Sequence, residues 1–179
     1  MNKSEIRKKI LKIRKQKSFK NLNINCENIL KILKKNKIKD KLVGGYYPYN
    51  HEIDVMKILE KFERKGYQIS LPKIKKNFQM NFFHWSKKDP LEINKYGIPE
   101  PVSDKEVYPD ILLVPVSAFD NRLYRIGYGG GYYDRYIKKI KRKKKVTTIG
   151  LAYSFQKVKE VPINEYDIKL DFVLNEQIK

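Results

Sequence analysis

The chain has 179 residues, of which 41% are hydrophobic and 12% aromatic. This composition is typical of a globular domain and excludes a disordered protein. Lys and Arg number 40 against 20 Asp and Glu, so the formal net charge is +20. No stretch approaches the roughly 20 apolar residues of a membrane span, and the charged segment directly after Met1 argues against a signal peptide.

The length of the chain predicts the number of domains, and its cysteine content indicates the cellular compartment. A chain of this length suits one domain with a substantial core, so we expect residues 1–179 to form a single domain. Cys26 is the only cysteine and cannot form an internal disulfide, which favours a reducing cytoplasm. Only two histidines, His51 and His84, are present, which argues against a structural zinc site.

The first half of the chain shows helical and strand patterns in turn. Apolar residues recur on one face over residues 4–17 and 25–35, which predicts two amphipathic helices. Asp54 is placed to cap a third helix. Strand patterns cover residues 41–47, residues 67–71 before Pro72, and residues 78–82, where apolar and polar residues alternate.

The second half continues this alternation. Residues 90–108 are rich in Pro and Gly and are predicted to be mostly loop. Residues 111–114 form a continuous apolar run, which is typical of a central strand buried on both faces. A helix is predicted over residues 132–143, and the last strands over 146–152 and 172–174.

Alternating strands and helices predict an α/β fold. We expect three α/β/α layers around a mainly parallel, Rossmann-like central sheet. Binding sites in such folds lie beyond the carboxyl ends of the strands, which is where the loop after Val114 falls.

The most informative segment is residues 125–134, Arg-Ile-Gly-Tyr-Gly-Gly-Gly-Tyr-Tyr-Asp, which holds four of the nine glycines. Glycine loses more backbone entropy on folding than any other residue, so this cluster needs a reason. One reason is that successive backbone N–H groups can then wrap an anionic group. Arg125 can add charge-assisted hydrogen bonds to a phosphate, and Asp134 can hold Mg²⁺.

A tight turn between a strand and a helix is the alternative interpretation of the glycine segment. It explains one or two glycines, but not four of them between Arg125 and Asp134. The segment is not a P-loop, because no Gly-Lys-Ser/Thr follows it, and its spacing differs from the dinucleotide pattern Gly-x-Gly-x-x-Gly.

Together with Asp110-Ile-Leu-Leu-Val-Pro115 and Ala118-Phe-Asp120, the glycine segment resembles the signature of the 5-formyltetrahydrofolate cyclo-ligase family, also called 5,10-methenyltetrahydrofolate synthetases. Other segments resemble the family along nearly the whole chain, in matching order and spacing: Lys3-Ser-Glu-Ile-Arg7, Tyr47-Pro-Tyr-Asn-His-Glu52, Leu71-Pro72, Gly97-Ile-Pro-Glu100-Pro101, Gly150-Leu-Ala-Tyr-Ser-Phe-Gln156 and Val161-Pro162. The chain departs from the family at Val116 and Leu123, where glycine is usual.

The resemblance implies a fold similar to the NagB/RpiA/CoA-transferase-like proteins. It also implies ATP-dependent cyclisation of 5-formyltetrahydrofolate to 5,10-methenyltetrahydrofolate, with release of ADP and phosphate. ATP and the folate would be the small-molecule partners and Mg²⁺ the cofactor. We expect a monomer with no specific nucleic-acid partner and no membrane association.

The resemblance assigns roles residue by residue. Arg125 and Tyr132 are implied to be catalytic. The implied ATP-binding residues are Lys3, Arg7, Arg125, Gly127, Tyr128, Gly129, Gly130, Gly131, Tyr132 and Tyr133. The implied folate-binding residues are Tyr47, Glu52, Tyr128, Gly129, Gly130, Gly131 and Tyr132. Asp134 and Asp167 are the implied metal ligands, although Asp167 could equally cap a loop.

The residues alone leave some of these roles open. Lys3 and Arg7 lie four apart on one helical face and can reach one polyphosphate, or they can be two solvated charges. Glu52 suits hydrogen-bond donors of a pterin ring, or it can be an acid stabilised by a helix dipole. Tyr47, Tyr128 and Tyr132 can stack on a flat ring.

Two other functions compete with the ligase. A net charge of +20 favours a nucleic-acid-binding module, but lysine is spread along the whole chain and no basic RNA-binding motif occurs. The densest run, residues 138–145, is typical of the solvated end of a helix. A kinase-like phosphotransferase would share the phosphate loop, but it would have no need of the segment from Tyr47 to Glu52.

Overall fold

The structure, a computed structural model, describes residues 1–16, 24–39 and 41–177. The α-helices in this part of the chain are α1 Lys3–Gln16, α2 Cys26–Lys35, α3 Met56–Arg64 and α4 Tyr132–Lys141. The strands are β1 Leu42–Gly44, β2 Gln68–Ile74, β3 Met80–Trp85, β4 Leu91–Ile93, β5 Pro99–Pro101, β6 Glu106–Val107, β7 Ile111–Pro115, β8 Ala118–Phe119, β9 Arg125–Ile126, β10 Thr147–Leu151 and β11 Phe172–Leu174. A short 3-10 helix covers Ser154–Gln156.

Seven of these strands form the central sheet, in the order β11-β10-β7-β1-β2-β3-β6. Five neighbouring strands, from β11 to β2, pair in parallel. Strand β3 runs antiparallel to both of its neighbours. The prediction of a mainly parallel sheet is confirmed, and the apolar run at 111–114 is its buried central strand β7.

Helices cover both faces of the sheet. Side chains alternate along a strand, so Leu113 packs with Leu59 of α3 on one face, while Leu112 packs with Ile137 of α4 on the other. Helix α2 lies in the same cluster as α3. The predicted three layers are therefore confirmed.

Helix α1 lies apart from these two layers, against the short hairpin of β8 and β9. Its residues Ile6 and Ile10 pack with Ala118, Ile126 and Val161. Because β8 follows directly after β7, this packing holds α1 beyond the carboxyl end of the central strand. The cationic face of α1 is thereby brought to the end of the sheet where binding sites form in this fold class.

The structure differs from the predicted elements in the middle of the chain. Strand β2 does not end at Pro72 but continues to Ile74, paired with β3. The backbone groups of Gln68 and Ser70 bond to the β1 side of the strand. Position 72 faces that same side by the two-residue period, and β1 has already ended at Gly44, so the missing N–H of proline interrupts no pairing within β1.

Two further boundaries differ. Strand β3 covers residues 80–85 rather than 78–82, because Asn77 and Phe78 both adopt left-handed backbone conformations in the turn before it. The segment 90–108 is mostly loop, as predicted, but it also contains the short strands β4, β5 and β6. The predicted first helix extends to Lys17, which lies outside the described residues.

Candidate active site

A cavity of about 920 Å³ lies at the carboxyl end of the central strands. Its walls come from α1, the segment after β1, the β2–β3 turn, the β4–β5 hairpin and the start of α4. It brings together every residue to which the sequence assigned a role: Lys3, Arg7, Tyr47, Glu52, Arg125, Gly127, Tyr128, Gly129, Gly130, Gly131, Tyr132, Tyr133, Asp134 and Asp167.

Helix α1 contributes two cations from one face. The Nε of Arg7 donates to the carbonyl of Gly127 at 2.6 Å, and Lys3 forms an ion pair with Asp167. A Cβ at Gly129 would lie 3.4 Å from the Arg7 guanidinium. Both cations are therefore held against the glycine-rich wall of the cavity rather than being free in solvent.

The glycine loop, residues 127–131, leads directly into α4. Gly129 has φ +102° and Gly131 has φ +66°, conformations that side chains with a Cβ rarely adopt. The first N–H groups of a helix have no partner within the helix, and no side chain among the described residues caps the start of α4. The loop and the helix start thus present a set of backbone donors that suits an anion.

Behind the glycine loop lies a buried ion pair. The Nη1 of Arg125 contacts Oδ1 of Asp134 at 3.0 Å and the carbonyl of Ile168 at 3.3 Å. The Arg125 side chain is only 3% exposed, and its Nε has no hydrogen-bond partner among the described residues. A buried charge must be paired, so Arg125 both orients Asp134 and retains a free donor.

The two acids assigned to metal binding differ in what surrounds them. Oδ1 of Asp134 is used by Arg125 and by the N–H of Ile168, at 3.1 Å, which leaves Oδ2 available. Asp167 is paired with Lys3 and accepts from the N–H of Asn164 at 2.6 Å. No cluster of three or more His, Cys, Asp or Glu suited to a metal occurs within residues 1–16, 24–39 and 41–177. Two carboxylates fit a Mg²⁺ ion that takes its other ligands from phosphates and water.

Glu52 supplies a carboxylate on another wall of the cavity. It follows a turn in which Asn50 and His51 both have positive φ values, and its Oε2 accepts from the N–H of Tyr49 at 2.9 Å. Burial raises the pKa of Glu52 to about 7, although the Tyr49 N–H and the charge of Arg14 act in the opposite direction. Glu52 is therefore a poorly solvated acceptor that would gain from donors on a ligand.

Aromatic rings form much of the remaining wall. The ring of Tyr128 meets Tyr49 edge-on at 5.7 Å, and the hydroxyl groups of Tyr132 and Tyr96 lie 3.3 Å apart. Phe78 is 60% exposed at the rim, beside Tyr132. Burial raises the pKa of Tyr132 to about 12, so its hydroxyl stays protonated at neutral pH and can donate.

The chain is similar to known proteins over nearly its whole length. The model of the 5-formyltetrahydrofolate cyclo-ligase family matches residues 1–176. The chain belongs to this family. The chain is 31% identical to the 5-formyltetrahydrofolate cyclo-ligase of Escherichia coli over 139 residues, or 74% of this chain and 76% of that one.

Solved structures of family members have the same fold. The chain superposes on a 5,10-methenyltetrahydrofolate synthetase from Aquifex aeolicus with a TM-score of 0.79 and 32% identity, covering 99% of this chain and 91% of that one. The corresponding values for the Mycoplasma pneumoniae synthetase are 0.75 and 26%, covering 98% and 99%.

The two departures from the family pattern have different structural settings. Leu123 has φ +70°, a conformation that favours glycine and therefore accounts for the usual residue there. Val116 is 2% exposed and packs in the core cluster with Val114 and α4. Neither side chain lines the cavity.

Some aromatic and polar residues elsewhere in the fold have structural roles. Phe83 and Trp85 are buried in strand β3 and do not line the cavity. The side chain of Gln156 donates to the carbonyls of Val116 and Ser117, at 2.6 and 2.8 Å. Asp171 accepts from the N–H and hydroxyl of Thr148, so it links the start of β11 to β10.

Sequence reasoning missed several lining or supporting residues. Tyr96 lies between β4 and β5, in the segment predicted to be loop, and Phe78 lies in the turn before β3. Arg14 is 1% exposed and sits behind Tyr128. In the sequence, Arg14 is marked only by its position on α1, seven residues after Arg7. The other basic residues of that helix made it impossible to single out.

Proposed function

We propose that this protein is an ATP-dependent 5-formyltetrahydrofolate cyclo-ligase that binds both substrates in the one cavity. This proposal rests on the observation that the cavity has two different walls. One wall is cationic and lined by glycine, and the other is aromatic and bears a carboxylate. A nucleotide polyphosphate suits the first wall, and a flat ring with N–H donors suits the second.

In this proposal the phosphates of ATP lie on the glycine loop. Backbone N–H groups of residues 129–133 donate to the phosphate oxygens, with Lys3 and Arg7 adding charge-assisted hydrogen bonds. The Arg7 side chain is already held by the carbonyl of Gly127, so little entropy is lost when it meets a phosphate.

Asp134 and Asp167 would hold a Mg²⁺ ion bound to these phosphates. The ion supplies positive charge where negative charge develops during transfer. Lys3 and Arg125 pair with these acids, so both cations would turn toward the nucleotide if the acids took the metal.

The folate would occupy the aromatic wall, with Glu52 accepting from pterin N–H groups and Tyr47 and Tyr128 flanking the ring. The formyl oxygen attacks the γ-phosphorus in line, and the bond to ADP breaks. The N10 nitrogen then attacks the activated carbon, and phosphate leaves. Arg125 and the protonated hydroxyl of Tyr132 stabilise the transferred group, which is the main requirement of such a reaction.

We further propose that residues 1–179 act as one monomeric domain, because a single chain supplies every wall of the cavity. We also propose that the protein acts in the cytoplasm. We assign no specific nucleic-acid partner. Several cations of the basic run are engaged by the protein itself: Lys139 with Asn81, Lys141 with Asp171, Lys143 with Tyr108 and Lys144 with Asp110.

The test is turnover by the purified protein with 5-formyltetrahydrofolate, ATP and Mg²⁺. The near-ultraviolet absorbance of the methenyl product should rise, with one ADP released per product. A non-hydrolysable ATP analogue should support no product. ADP release without the absorbance change would instead indicate phosphoryl transfer to a different acceptor.

A further inference from the structure

Helix α1 carries a buried cation that contacts no carboxylate in the described part of the chain. Arg14 is 1% exposed, and within residues 1–16, 24–39 and 41–177 it forms no ion pair. Its Nε also lacks a hydrogen-bond partner there. Burying an arginine in this way is costly, so its retention in the helix needs a compensating role.

The guanidinium group of Arg14 joins three segments that are distant in sequence. It donates to the hydroxyl of Tyr128 in the glycine loop at 3.0 Å, and to the carbonyl of Val116 after β7 at 2.7 Å. A longer contact, 3.4 Å, reaches the carbonyl of Asn50 in the turn before Glu52. The rigid, planar fork of an arginine can make these contacts together, whereas a lysine ammonium cannot.

The charge of Arg14 also acts on Glu52. Within the described residues, the titratable or charged side chains that interact electrostatically with Glu52 include Arg14 from α1, Tyr128 from the glycine loop, Tyr133 from α4 and Tyr46 after β1. Arg14 is the cation of this group. Burial favours the neutral acid, while the charge of Arg14 lowers the pKa of Glu52.

We propose that Arg14 is a positioning residue for the folate wall, which fixes the turn before Glu52 against the glycine loop and favours the ionised form of the Glu52 carboxylate. This inference rests on the proposed role of Glu52 as the acceptor for the pterin. An ionised carboxylate accepts from ring N–H donors, whereas a protonated one presents a competing donor. Arg14 therefore acts on the folate through Glu52 and Tyr128, without touching it.

The first experiment needs no substrate. The carboxyl carbon of Glu52 is titrated by ¹³C NMR in the wild type, Arg14→Met, Arg14→Lys and Lys15→Met. Lys15 is exposed on the same helix, so its variant controls for the loss of one charge. We expect the midpoint to move to higher pH in Arg14→Met and to stay near the wild-type value in the other two variants. An unchanged midpoint in Arg14→Met would overturn the electrostatic part of the inference.

The second experiment measures KM for each substrate as a function of pH. In Arg14→Met, we expect the folate KM to rise at least about tenfold near neutral pH and to recover in part at higher pH, down to the level of Arg14→Lys, while the ATP KM stays within about twofold. In Arg14→Lys, which keeps the charge but not the fork, the folate KM should rise a few fold with no change in its pH dependence.

These outcomes separate the inference from its alternatives. Equal increases of both KM values, with no pH dependence, would reduce Arg14 to a packing residue. If Arg14→Met does not fold, an unchanged folate KM in Arg14→Lys contradicts the positioning role. A wild-type protein without turnover would defeat the proposed function, and the NMR titration would still decide whether Arg14 controls Glu52.

Discussion

The two walls of the cavity hold their charges in opposite ways. On the phosphate wall, formed by Lys3, Arg7, the glycine loop, Asp134 and Asp167, most charges are already paired within the protein. On the proposed folate wall, formed by Tyr47, Tyr49, Glu52, Phe78, Tyr96 and the ring of Tyr128, the carboxylate of Glu52 lies beside aromatic rings, and burial raises its pKa.

This difference indicates how one cavity can accept two unlike ligands. Paired cations exchange one anionic partner for another, so the phosphate wall can bind a polyphosphate with little rearrangement. The carboxylate of Glu52 gains more from a ligand, because a donor replaces the water that burial has removed. A mutation in one wall should therefore weaken binding of the ligand proposed for that wall and leave binding of the other ligand unchanged.

The largest expected effect is on the phosphate wall. Arg7→Met should lower kcat/KM for ATP about 10- to 100-fold, because a charge-assisted contact worth roughly 1.5–3 kcal/mol is lost. The folate KM should stay within about twofold. Lys8→Met, at an exposed position on the same helix, is the matched control. A comparable loss in both variants would mean that α1 contributes only general positive charge.

A smaller effect is expected at Asp134. Asp134→Asn keeps the shape but loses the charge that Mg²⁺ prefers, so turnover should fall at least about tenfold. A higher Mg²⁺ concentration should restore part of the lost turnover. The exposed Asp104→Asn is the control. Full activity of Asp134→Asn at low Mg²⁺ would place the metal elsewhere.

The smallest effect concerns stability on the folate wall. In the unfolded chain Glu52 ionises near 4.5, but in the fold its pKa is about 7. Stability is therefore lost as the pH rises from about 4.5 to about 7 and is then level. Glu52→Gln removes this cost, so the empty protein should gain roughly 1–3 kcal/mol above pH 7 and nothing below about pH 4.5.

Thermal unfolding at a series of pH values measures this effect, with the exposed Glu165→Gln as the control. A Glu52→Gln variant that is less stable than the wild type at high pH would show that Glu52 supports the fold rather than serving a ligand.

Local patterns predicted the parts of the fold that depend on local physics. The continuous apolar run at 111–114 identified the central strand, and the glycine segment identified the loop before α4. Pro72 was misinterpreted, because whether a proline ends a strand depends on the length of the neighbouring strand β1. That length is a property of the sheet and cannot be read from residues 67–74 alone.

The residues of the candidate site also divide into those that the sequence indicated and those that only the folded structure reveals. Lys3, Arg7 and Glu52 were found because the resemblance marked them. Arg14 was missed, since its burial results from three segments that meet only in the folded chain. Tyr96 was missed because the short pairing of β4 with β5 leaves little pattern in the sequence.

The separation of the two walls is tested most directly by the steady-state kinetics of Glu52→Gln with each substrate varied in turn, above pH 7. We predict that the folate KM rises at least about tenfold, because unpaired ring donors cost about 1–3 kcal/mol, while the ATP KM is unchanged. Equal changes in both KM values, or no change in either, would contradict the placement of the folate on the Glu52 wall.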